Sequence, residues 1–278
     1  MPIITLTTDF GWKDPYVGAV KGAIYKELEQ INIVDISHEV SPFNIAEAAY
    51  IIRNAYHSFP DGTIHIIGVD AEHTPENIHI AVLLNNHYFI CADNGVLALI
   101  MNKLRPEKLV EINIHDRISS NFTTLDAFVK TACHIARGGT LEIIGKPITR
   151  IRAISGMTPK ISDNKNVIHG QVIYIDNYGN SVANVTEEIF ETIGKGREFE
   201  ISARNERFNK VFKRYSDIIN FDDEENKRDV DGKGLVLFNS AGYLELATYK
   251  SNPLTVGSAS TLFGLQINAP VIITFEES

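Results

Sequence analysis

Cysteine is scarce in this sequence, and long hydrophobic runs are absent from it. Cys91 and Cys133 are the only cysteines among 278 residues, too few for a disulfide framework. No apolar run approaches the roughly 18 residues that a membrane-spanning helix needs. The amino terminus lacks a basic segment followed by an apolar stretch, so we expect no secretory signal. These absences predict a cytoplasmic protein that has no membrane partner.

Positive charge is also in short supply. The 26 Lys and Arg residues are outnumbered by 35 Asp and Glu residues, which leaves a formal net charge of −9. Because Lys and Arg side chains that neutralise phosphates drive nucleic-acid binding, we expect no nucleic-acid partner. A small cationic or zwitterionic ligand suits this charge balance slightly better.

Familiar cofactor motifs are missing as well. The sequence contains no G-x-S-x-G, no Walker-type phosphate loop and no dinucleotide fingerprint after its first strand. No spacing of His, Cys, Asp and Glu matches a closed metal-ligand pattern. We therefore expect neither a bound cofactor nor a metal.

The first half of the chain alternates strand and helix patterns. This alternation predicts an α/β domain over residues 1–158 with a mostly parallel sheet. Asn44 and Glu47, three residues apart, predict a capped helix start, and Asn85-Asn86-His87 predicts a hairpin. The predicted strands cover 3–6, 31–34, 63–69, 79–84, 88–92 and 109–114, and the predicted helices begin near Pro15 and cover 44–57, 95–104 and 126–137.

The second half has a different texture. After a polar stretch at 159–166, short β-like runs and turn signals follow one another. Residues 165–278 are therefore predicted to form a smaller all-β, barrel-like domain. One short helix is predicted to begin at Thr186. The predicted strands cover 167–175, 198–202, 235–238, 243–249 and 271–275.

Two carboxylates follow predicted strands of the first half. Asp9 comes after the first strand, and Asp70 comes after the third. Open parallel sheets bind ligands outside the carboxyl ends of their strands, so this placement predicts a shared site. Aspartate is also common in turns and helix caps, and that alternative stays open. Glu72 and His73 follow Asp70 and allow an acid–base pair there.

The second half contains its own polar loop, Asp176-Asn177-Tyr178-Gly179-Asn180. As a turn, it would use Gly179 for a positive φ. As a recognition loop, its carboxylate, aromatic face and carboxamide can hold an ammonium, stack on a base and pair with the base edge. The segment Asn239-Ser240-Ala241-Gly242-Tyr243 has the same two interpretations.

Together, these segments resemble the S-adenosylmethionine hydroxide adenosyltransferase family, relatives of the fluorinase and chlorinase enzymes. They follow the family's order and span nearly the whole chain. The matching segments are Thr8-Asp9-Phe10-Gly11, Asp35-Ile36-Ser37-His38-Glu39-Val40-Ser41-Pro42, Phe59-Pro60-Asp61-Gly62-Thr63, Asp93-Asn94-Gly95-Val96-Leu97, Asp176-Asn177-Tyr178-Gly179-Asn180 and Asn239-Ser240-Ala241-Gly242-Tyr243-Leu244.

The resemblance implies an N-terminal α/β domain, a C-terminal β-barrel-like domain and a homotrimer. The ligand would lie between one subunit's first domain and its neighbour's second. The implied reaction is attack of water at C5′ of S-adenosylmethionine, which is the substrate, with adenosine and methionine as products. The sulfonium leaves as a neutral thioether, so no general acid is needed, and a carboxylate can hold or deprotonate the water.

In the first half, the resemblance implies a role for each matching side chain. Asp9 matches a carboxylate that binds the ribose hydroxyls, and Phe43 matches an aromatic beside the sugar. Asp70 matches the catalytic Asp. The remaining implied substrate-binding residues are Asn94, Phe122, Thr123 and Thr124.

In the second half, the implied roles concern the two ends of the ligand. Asp176 would meet the methionine ammonium, and Ser240 would approach the methionine carboxylate. Tyr178 and Asn180 would stack on adenine and pair with it. Tyr215 would add a second aromatic wall.

The sequence departs from the family pattern at the catalytic group, which is an Asp–Arg–His trio. Asp70 is present, but Asn77 stands at the Arg position and Thr123 at the His position. Losing the Arg and the His removes a positive partner and a proton acceptor, which changes what Asp70 can do.

Three functions therefore stay open at this stage. The first is S-adenosylmethionine hydrolysis, with His73 or Glu72 helping Asp70. The second is binding of S-adenosylmethionine or adenosine without turnover. The third is a relative with another substrate or a halide nucleophile, in which Thr123 and Thr124 line a small-anion site.

Overall fold

The computed structural model describes residues 2–101, 104–114, 122–154, 158–224 and 230–277. The chain divides into two compact units, Met1–Ile154 and Ser155–Ser278. Each unit has its own sheet and its own hydrophobic core. No helix within these described stretches is long and apolar enough to cross a membrane.

The N-terminal unit alternates strands and helices, as its sequence pattern predicts. Its strands are β1 (Ile3–Thr8), β2 (Asn32–Ser37), β3 (Ile64–Gly68), β4 (His79–Leu84), β5 (His87–Ala92), β6 (Lys108–Ile112) and β7 (Gly145–Pro147). Its helices are α1 (Tyr16–Glu27), α2 (Ile45–Ala55), α3 (Val96–Met101), α4 (Val129–Ala136) and α5 (Leu141–Ile144). The sequence pattern does not predict the short elements α5 and β7. Of the predicted helix over 95–104, residues 102 and 103 lie outside the described residues.

The seven-stranded sheet of this unit is mixed, so the prediction of a mostly parallel sheet is wrong. Its strand order is β2-β1-β3-β5-β4-β6-β7. The pairs β2-β1, β1-β3 and β3-β5 are parallel, whereas β5-β4, β4-β6 and β6-β7 are antiparallel. The hairpin at Asn85 and Asn86 accounts for the reversal, because both residues have positive φ angles, 51° and 62°. Such a tight turn joins antiparallel neighbours, whereas parallel strands need a longer crossover.

Helix α2 is fixed at its start by the predicted capping pair. The Asn44 Oδ1 accepts a hydrogen bond from the backbone N–H of Glu47 at 3.1 Å. The Glu47 Oε2 accepts in turn from Asn44 Nδ2 at 3.2 Å and from the Ser41 N–H at 3.1 Å. This reciprocal pair satisfies donors at the helix start, and it anchors the adjoining segment that carries Phe43.

Helices cover both faces of this sheet. On β3, Ile64 and Ile66 pack in one cluster with residues of α1 and α4, whereas Ile67 packs in a second cluster with residues of α2 and α3. The two clusters follow from the two-residue period of side chains along a strand. Buried on both faces, the sheet is a rigid base for the loops at the ends of its strands.

The C-terminal unit is formed mainly by antiparallel strands. They are β8 (Lys160–Ile161), β9 (Val167–Ile175), β10 (Ser181–Thr186), β11 (Phe199–Ala203), β12 (Glu206–Phe208), β13 (Gly234–Phe238), β14 (Tyr243–Thr248) and β15 (Pro270–Phe275). The helices are α6 (Glu187–Gly194) and α7 (Ala259–Leu262). Helix α6 is capped by Thr186, whose hydroxyl accepts from the Ile189 N–H, so the predicted helix start is confirmed. The sequence pattern does not predict β8, β10 and β12.

The strands of this unit form a nearly closed, barrel-like sheet. Their order is β12-β11-β15-β9-β10-β14-β13, with β8 paired to β9. Phe212, beyond the end of β12, forms a β-bridge with Leu237 of β13. The two ends of the sheet therefore approach each other, and the predicted smaller all-β domain is confirmed.

Candidate active site

The carboxyl ends of four strands meet at one edge of the N-terminal sheet. Strands β1, β2, β3 and β5 run parallel to one another. Asp9 and His38 directly follow β1 and β2, and Asp70 and Asn94 lie two residues beyond the ends of β3 and β5. The structure thus brings Asp9 and Asp70 to the edge at which open α/β sheets bind ligands.

The Asp9 carboxylate is held by the backbone of the segment before α2. Its Oδ2 accepts a hydrogen bond from the Phe43 N–H at 2.9 Å. Phe43 has a φ of 62° and is 73% exposed. A positive φ in a bulky residue costs energy, and such strain concentrates at functional sites. The result is an exposed aromatic ring beside a fixed carboxylate, an arrangement that suits a sugar with neighbouring hydroxyls.

A buried hydrogen-bond network lies behind this loop. The His38 Nδ1 is 2.7 Å from Thr8 Oγ1, and its Nε2 is 3.0 Å from Asp35 Oδ1. The His38 carbonyl accepts from the Gly11 N–H at 2.7 Å. Burial alone would raise the pKa of Asp35, but hydrogen bonds from Lys21 and His38 hold it below its usual value. Thr8 and His38 are each 1% exposed, so the network fixes the loop and does not present a nucleophile to solvent.

Asp70 occupies a tight turn at the end of β3. Its φ is 47°, in the left-handed region that Asp and Asn tolerate better than other side chains. The Asn94 Nδ2 donates to the carbonyl oxygens of Val69 and Asp70, each at 3.1 Å. The Asn77 Nδ2 donates to the carbonyl oxygens of Asp70 at 3.2 Å and Glu72 at 2.9 Å. Both amides hold the Asp70 backbone, and none of these bonds uses its carboxylate.

These two asparagines act on the protein backbone in this structure. Asn94 is 5% exposed, and its Oδ1 accepts from the Val96 N–H at 3.1 Å at the start of α3. Asn77, at the position of the family's Arg, supplies hydrogen bonds to the turn and no positive charge. Asn94 was expected to bind substrate from its sequence motif, and the structure places its amide against the turn that carries Asp70.

The loop that follows this turn carries His73, whose ring contacts a histidine at the start of β4. The His73 ring lies edge-on to the His79 ring at a centroid distance of 4.7 Å. His79 is fully buried, and its Nε2 lies 3.1 Å from the Ala71 carbonyl oxygen. The Arg152 guanidinium donates to the Glu76 carbonyl at 2.9 Å. The loop that lacks the family's Arg therefore carries one exposed imidazole, and a guanidinium from a distant segment binds its backbone.

A π-helical turn lies against the end of β3, where the sequence predicts α-helix over 126–137. The turn covers Thr124–Phe128, and α4 begins only at Val129. A Cβ atom on Gly68 would lie 2.9 Å from Thr124 Oγ1, so glycine is needed at that contact. Thr124 is buried and Thr123 is half-buried. A π-helical turn is rare and is frequent at functional sites.

Phe122 belongs to an aromatic group that covers the loop after β1. Its ring lies 5.5 Å from the Phe10 ring and 5.3 Å from the Tyr16 ring, measured between centroids. The Phe10 and Tyr16 rings are 5.8 Å apart. These tilted and edge-on contacts are favourable aromatic geometry, and they join the π-helical turn to the loop that carries Asp9.

The polar loop after β9 is organised by Asp176. Its Oδ1 accepts from the N–H groups of Tyr178 at 2.9 Å and Asn180 at 2.8 Å, and its Oδ2 accepts from Asn180 Nδ2 at 3.0 Å. The Asn180 Oδ1 accepts from Ser251 Oγ at 3.0 Å. Gly179 has a φ of 76°, as a turn requires. Tyr178 is 63% exposed, so the loop presents an aromatic face while the Asp176 and Asn180 side chains bind one another.

The second polar turn of this unit follows β13. The Asn239 Oδ1 accepts from the N–H groups of Ala241 and Tyr243, each at 3.1 Å. Gly242 has a φ of 74°, and Ser240 is exposed at the tip. The Ser240 hydroxyl is therefore presented on a turn that an asparagine side chain closes.

Glu245 is a buried carboxylate that lies outside the sequence motifs. It lies on β14 and is 4% exposed. Its Oε1 accepts from the Tyr215 hydroxyl at 2.5 Å, and its Oε2 accepts from Asn239 Nδ2 at 3.2 Å. Burial raises its pKa, the two hydrogen bonds lower it in part, and the Asp176 charge adds to the increase. A single acidic residue inside the apolar run 243–248 is the sequence signal that marks this position.

Across the described part of the chain, no group of three or more His, Cys, Asp and Glu is placed to hold a metal ion.

Comparison with known proteins connects the two units to one family. The model of the SAM hydroxide adenosyltransferase N-terminal domain matches residues 4–145, and that of the C-terminal domain matches residues 170–272. The (R)-S-adenosyl-L-methionine hydrolase of Methanocaldococcus jannaschii is 28% identical over 91% of this chain and 90% of its own length.

A more distant relative and a solved structure agree with this match. The fluorinase of Actinopolyspora mzabensis is 21% identical over 70% of this chain and 75% of its own length. The crystal structure of an uncharacterized conserved protein from Thermotoga maritima superposes with a TM-score of 0.81 at 26% identity, covering 99% of this chain and all of that one.

Proposed function

The chain belongs to the S-adenosylmethionine hydroxide adenosyltransferase family, and we propose that it hydrolyses S-adenosylmethionine to adenosine and methionine. The observation that carries this proposal is the match of both family domains, over residues 4–145 and 170–272. The M. jannaschii relative, matched over most of both chains, carries the name of that activity.

The reaction is an in-line displacement at carbon. The oxygen of water forms a bond to C5′ as the C5′–S bond breaks, and the electron pair of that bond goes to sulfur. The sulfonium becomes the neutral thioether of methionine, so the leaving group needs no proton. The water gives up one proton in total. The site must therefore orient water opposite the C–S bond and receive a proton.

Asp70 is the group we assign to the attacking water. Its turn is fixed by hydrogen bonds from Asn77 and Asn94, while its carboxylate takes no part in them. A carboxylate on a rigid turn can align water without reorganising during the reaction. His73, exposed on the same loop, is the imidazole we propose to take the place of the family's His.

The remaining residues bind the substrate in this proposal. Asp9 accepts hydrogen bonds from the ribose hydroxyls, with Phe43 beside the sugar. Tyr178 and Tyr215, both exposed in this structure, supply aromatic faces for adenine. The other assigned residues are Asp176 and Ser240 at the amino-acid end, Asn180 at the adenine edge, and Phe122, Thr123 and Thr124 at the π-helical turn.

Binding without turnover is the second function that an observation favours. Asn77 and Thr123 supply neither the charge of an Arg nor the base of a His. If a site keeps its binding groups but has lost its catalytic groups, it binds its ligand without accelerating the reaction.

Incubation of the purified protein with S-adenosylmethionine in ¹⁸O-labelled water tests the activity. We expect adenosine that carries the heavy oxygen at C5′ and an equal amount of methionine. A protein whose melting temperature rises with adenosine, but which forms no adenosine above a buffer control, has the second function. A protein with neither response has neither function.

We also propose that the protein is a cytoplasmic homotrimer, as the family resemblance implies. Light scattering coupled to size-exclusion chromatography gives the mass in solution. A mass near 31.0 kDa, that of one chain, would contradict the trimer.

A further inference from the structure

The carboxylate of Glu245 joins two separate elements of the C-terminal unit. One of its oxygens accepts from Tyr215, at the start of the 3₁₀ helix Tyr215–Ile218, at 2.5 Å. The other accepts from Asn239, in the turn after β13, at 3.2 Å. Both donors are neutral groups, so the buried carboxylate serves as an acceptor for two positioned side chains.

The Tyr215 ring has one anchored end. Its hydroxyl binds the buried carboxylate, yet the residue as a whole is 41% exposed. A tyrosine held by its hydroxyl presents a ring face in a fixed orientation, which lowers the entropy lost when a ligand stacks on it. Without this hydrogen bond the ring loses a contact that fixes its orientation.

The second contact of Glu245 orients an amide. With its Nδ2 directed at Glu245, Asn239 turns its Oδ1 toward the N–H groups of Ala241 and Tyr243, each at 3.1 Å. These bonds close the turn that presents Ser240. A reversed amide would place its NH₂ group against those N–H donors and open the turn.

We propose that Glu245 is a positioning residue for ligand binding, which sets the Tyr215 ring and the Ser240 turn at the same time. This inference rests on the proposed function, because Tyr215 and Ser240 are assigned there to opposite ends of S-adenosylmethionine. Glu245 itself touches neither end. The position of one buried side chain therefore couples recognition of the nucleoside to recognition of the amino acid.

Three single variants and one double variant test the proposal. Glu245→Leu removes both contacts and leaves the donors of Tyr215 and Asn239 without this acceptor, so its melting temperature is measured alongside its affinities. Glu245→Gln can accept from Asn239 and donate to the Tyr215 oxygen, so it is the conservative rescue. Tyr215→Phe keeps the ring and deletes only its anchor. The double variant is Tyr215→Phe combined with Glu245→Leu.

The readouts are the Kd values of adenosine and of methionine, the KM and kcat for S-adenosylmethionine, and the melting temperature. We expect Glu245→Leu and Tyr215→Phe each to raise the Kd of adenosine about five- to tenfold, the scale of one lost hydrogen bond. Only Glu245→Leu is expected to raise the Kd of methionine as well, because Tyr215→Phe leaves the Ser240 turn intact. KM rises with kcat nearly unchanged, and Glu245→Gln restores most of the affinity. The double variant is no weaker toward adenosine than Glu245→Leu, because both changes break one contact.

Wild-type affinities for adenosine and methionine in a folded Glu245→Leu variant would overturn the inference. If that variant fails to fold, Tyr215→Phe is the deciding variant. A wild-type affinity for adenosine in Tyr215→Phe would then overturn the inference. Additive losses in the double variant would show that the two residues act separately. A wild-type protein that binds neither adenosine nor S-adenosylmethionine overturns the proposed function itself, and the inference with it.

Discussion

The backbone N–H of Phe43 donates to the Asp9 carboxylate across 34 positions of sequence, at 2.9 Å. This bond joins the loop after β1 to the segment before α2. It fixes the carboxylate, and it holds the exposed Phe43 ring in a left-handed backbone conformation with a φ of 62°.

Removing the charge of Asp9 tests its role in binding. Asp9→Asn keeps an oxygen for the Phe43 N–H but loses the charge that strengthens hydrogen bonds to hydroxyls. We expect the Kd of adenosine to rise roughly 10- to 150-fold, the scale of about 1.5–3 kcal/mol for a hydrogen bond to a charged group. Isothermal titration calorimetry measures this. Asp9→Ala, which also loses the Phe43 contact, should bind no better, and an unaltered Kd in both variants would remove Asp9 from the binding site.

Asp70→Asn separates chemistry from binding. Asparagine tolerates the left-handed φ of 47° at this turn, so the backbone is expected to remain in place. We expect adenosine formation to fall at least about 100-fold, since a general base contributes on the order of 10²–10⁴ in rate. The Kd of adenosine should change less than about threefold, because Asp70 acts on the water and not on the nucleoside. Equal losses of binding and turnover in Asp70→Asn and Asp9→Asn would show that the two carboxylates do not divide these roles.

We expect Phe43→Gly to lower the affinity for adenosine and to raise the stability of the fold. Glycine adopts a positive φ freely, so the change relieves strain in the folded state. The greater entropy of glycine in the unfolded state opposes this gain. We expect a net increase in the free energy of unfolding of up to about 1 kcal/mol. The Kd of adenosine rises because the aromatic ring beside the sugar is lost. Urea unfolding and calorimetry measure the two effects. Phe43→Tyr is the control and should keep both the strain and the affinity. A less stable Phe43→Gly variant would show that the ring supports the fold.

Acid is expected to destabilise the N-terminal unit through a buried pair of histidines. The His65 Nδ1 lies 2.7 Å from Thr5 Oγ1, and its Nε2 lies 3.2 Å from His87 Nδ1. Burial, with a contribution from the charge of His87, lowers the pKa of His65 to about 3. An unfolded His takes up a proton near pH 6.5, so this contribution to stability is complete above pH 6.5 and is lost as the pH falls toward 3. The loss amounts to about 1.4 kcal/mol per pH unit within that range.

Urea unfolding at pH 7 and pH 5 measures this effect. We expect His65→Gln to show a smaller loss of stability at pH 5 than the wild type, by roughly 2 kcal/mol. His169→Gln, at an exposed position on β9, is the matched control and should follow the wild type. Identical pH profiles for His65→Gln and the wild type would mean that His65 is not the group that titrates.

Local chemistry explains which elements are predictable from sequence. The Asn44 and Glu47 pair specifies the start of α2, Thr186 specifies the start of α6, and Asn85-Asn86 specifies a tight turn, because each acts on backbone groups within a few residues. The π-helical turn at Thr124–Phe128 has no such local code, since its apolar spacing also fits an α-helix.

The mixed sheet is the clearest case in which local pattern is insufficient. The Asn85-Asn86 turn specifies that β4 and β5 are antiparallel. It does not specify whether β4 pairs on its other side with β6 or with β3. That choice depends on which apolar faces the helices bury. A strand that is buried on both faces has the same apolar sequence pattern whether it is parallel or antiparallel to its neighbours.

For the site, the sequence by itself determined which residue types stand where: the carboxylates at Asp9 and Asp70, the tyrosines at Tyr178 and Tyr215, and Asn77 and Thr123 at the positions of the family's Arg and His. Only the tertiary structure decided what these groups contact. It placed Asn77 and Asn94 against the backbone of the Asp70 turn, and it revealed Glu245 between Tyr215 and Asn239. The physical reason is range: caps and turns act over a few residues, whereas a buried hydrogen bond between distant positions exists only after the core has brought them together.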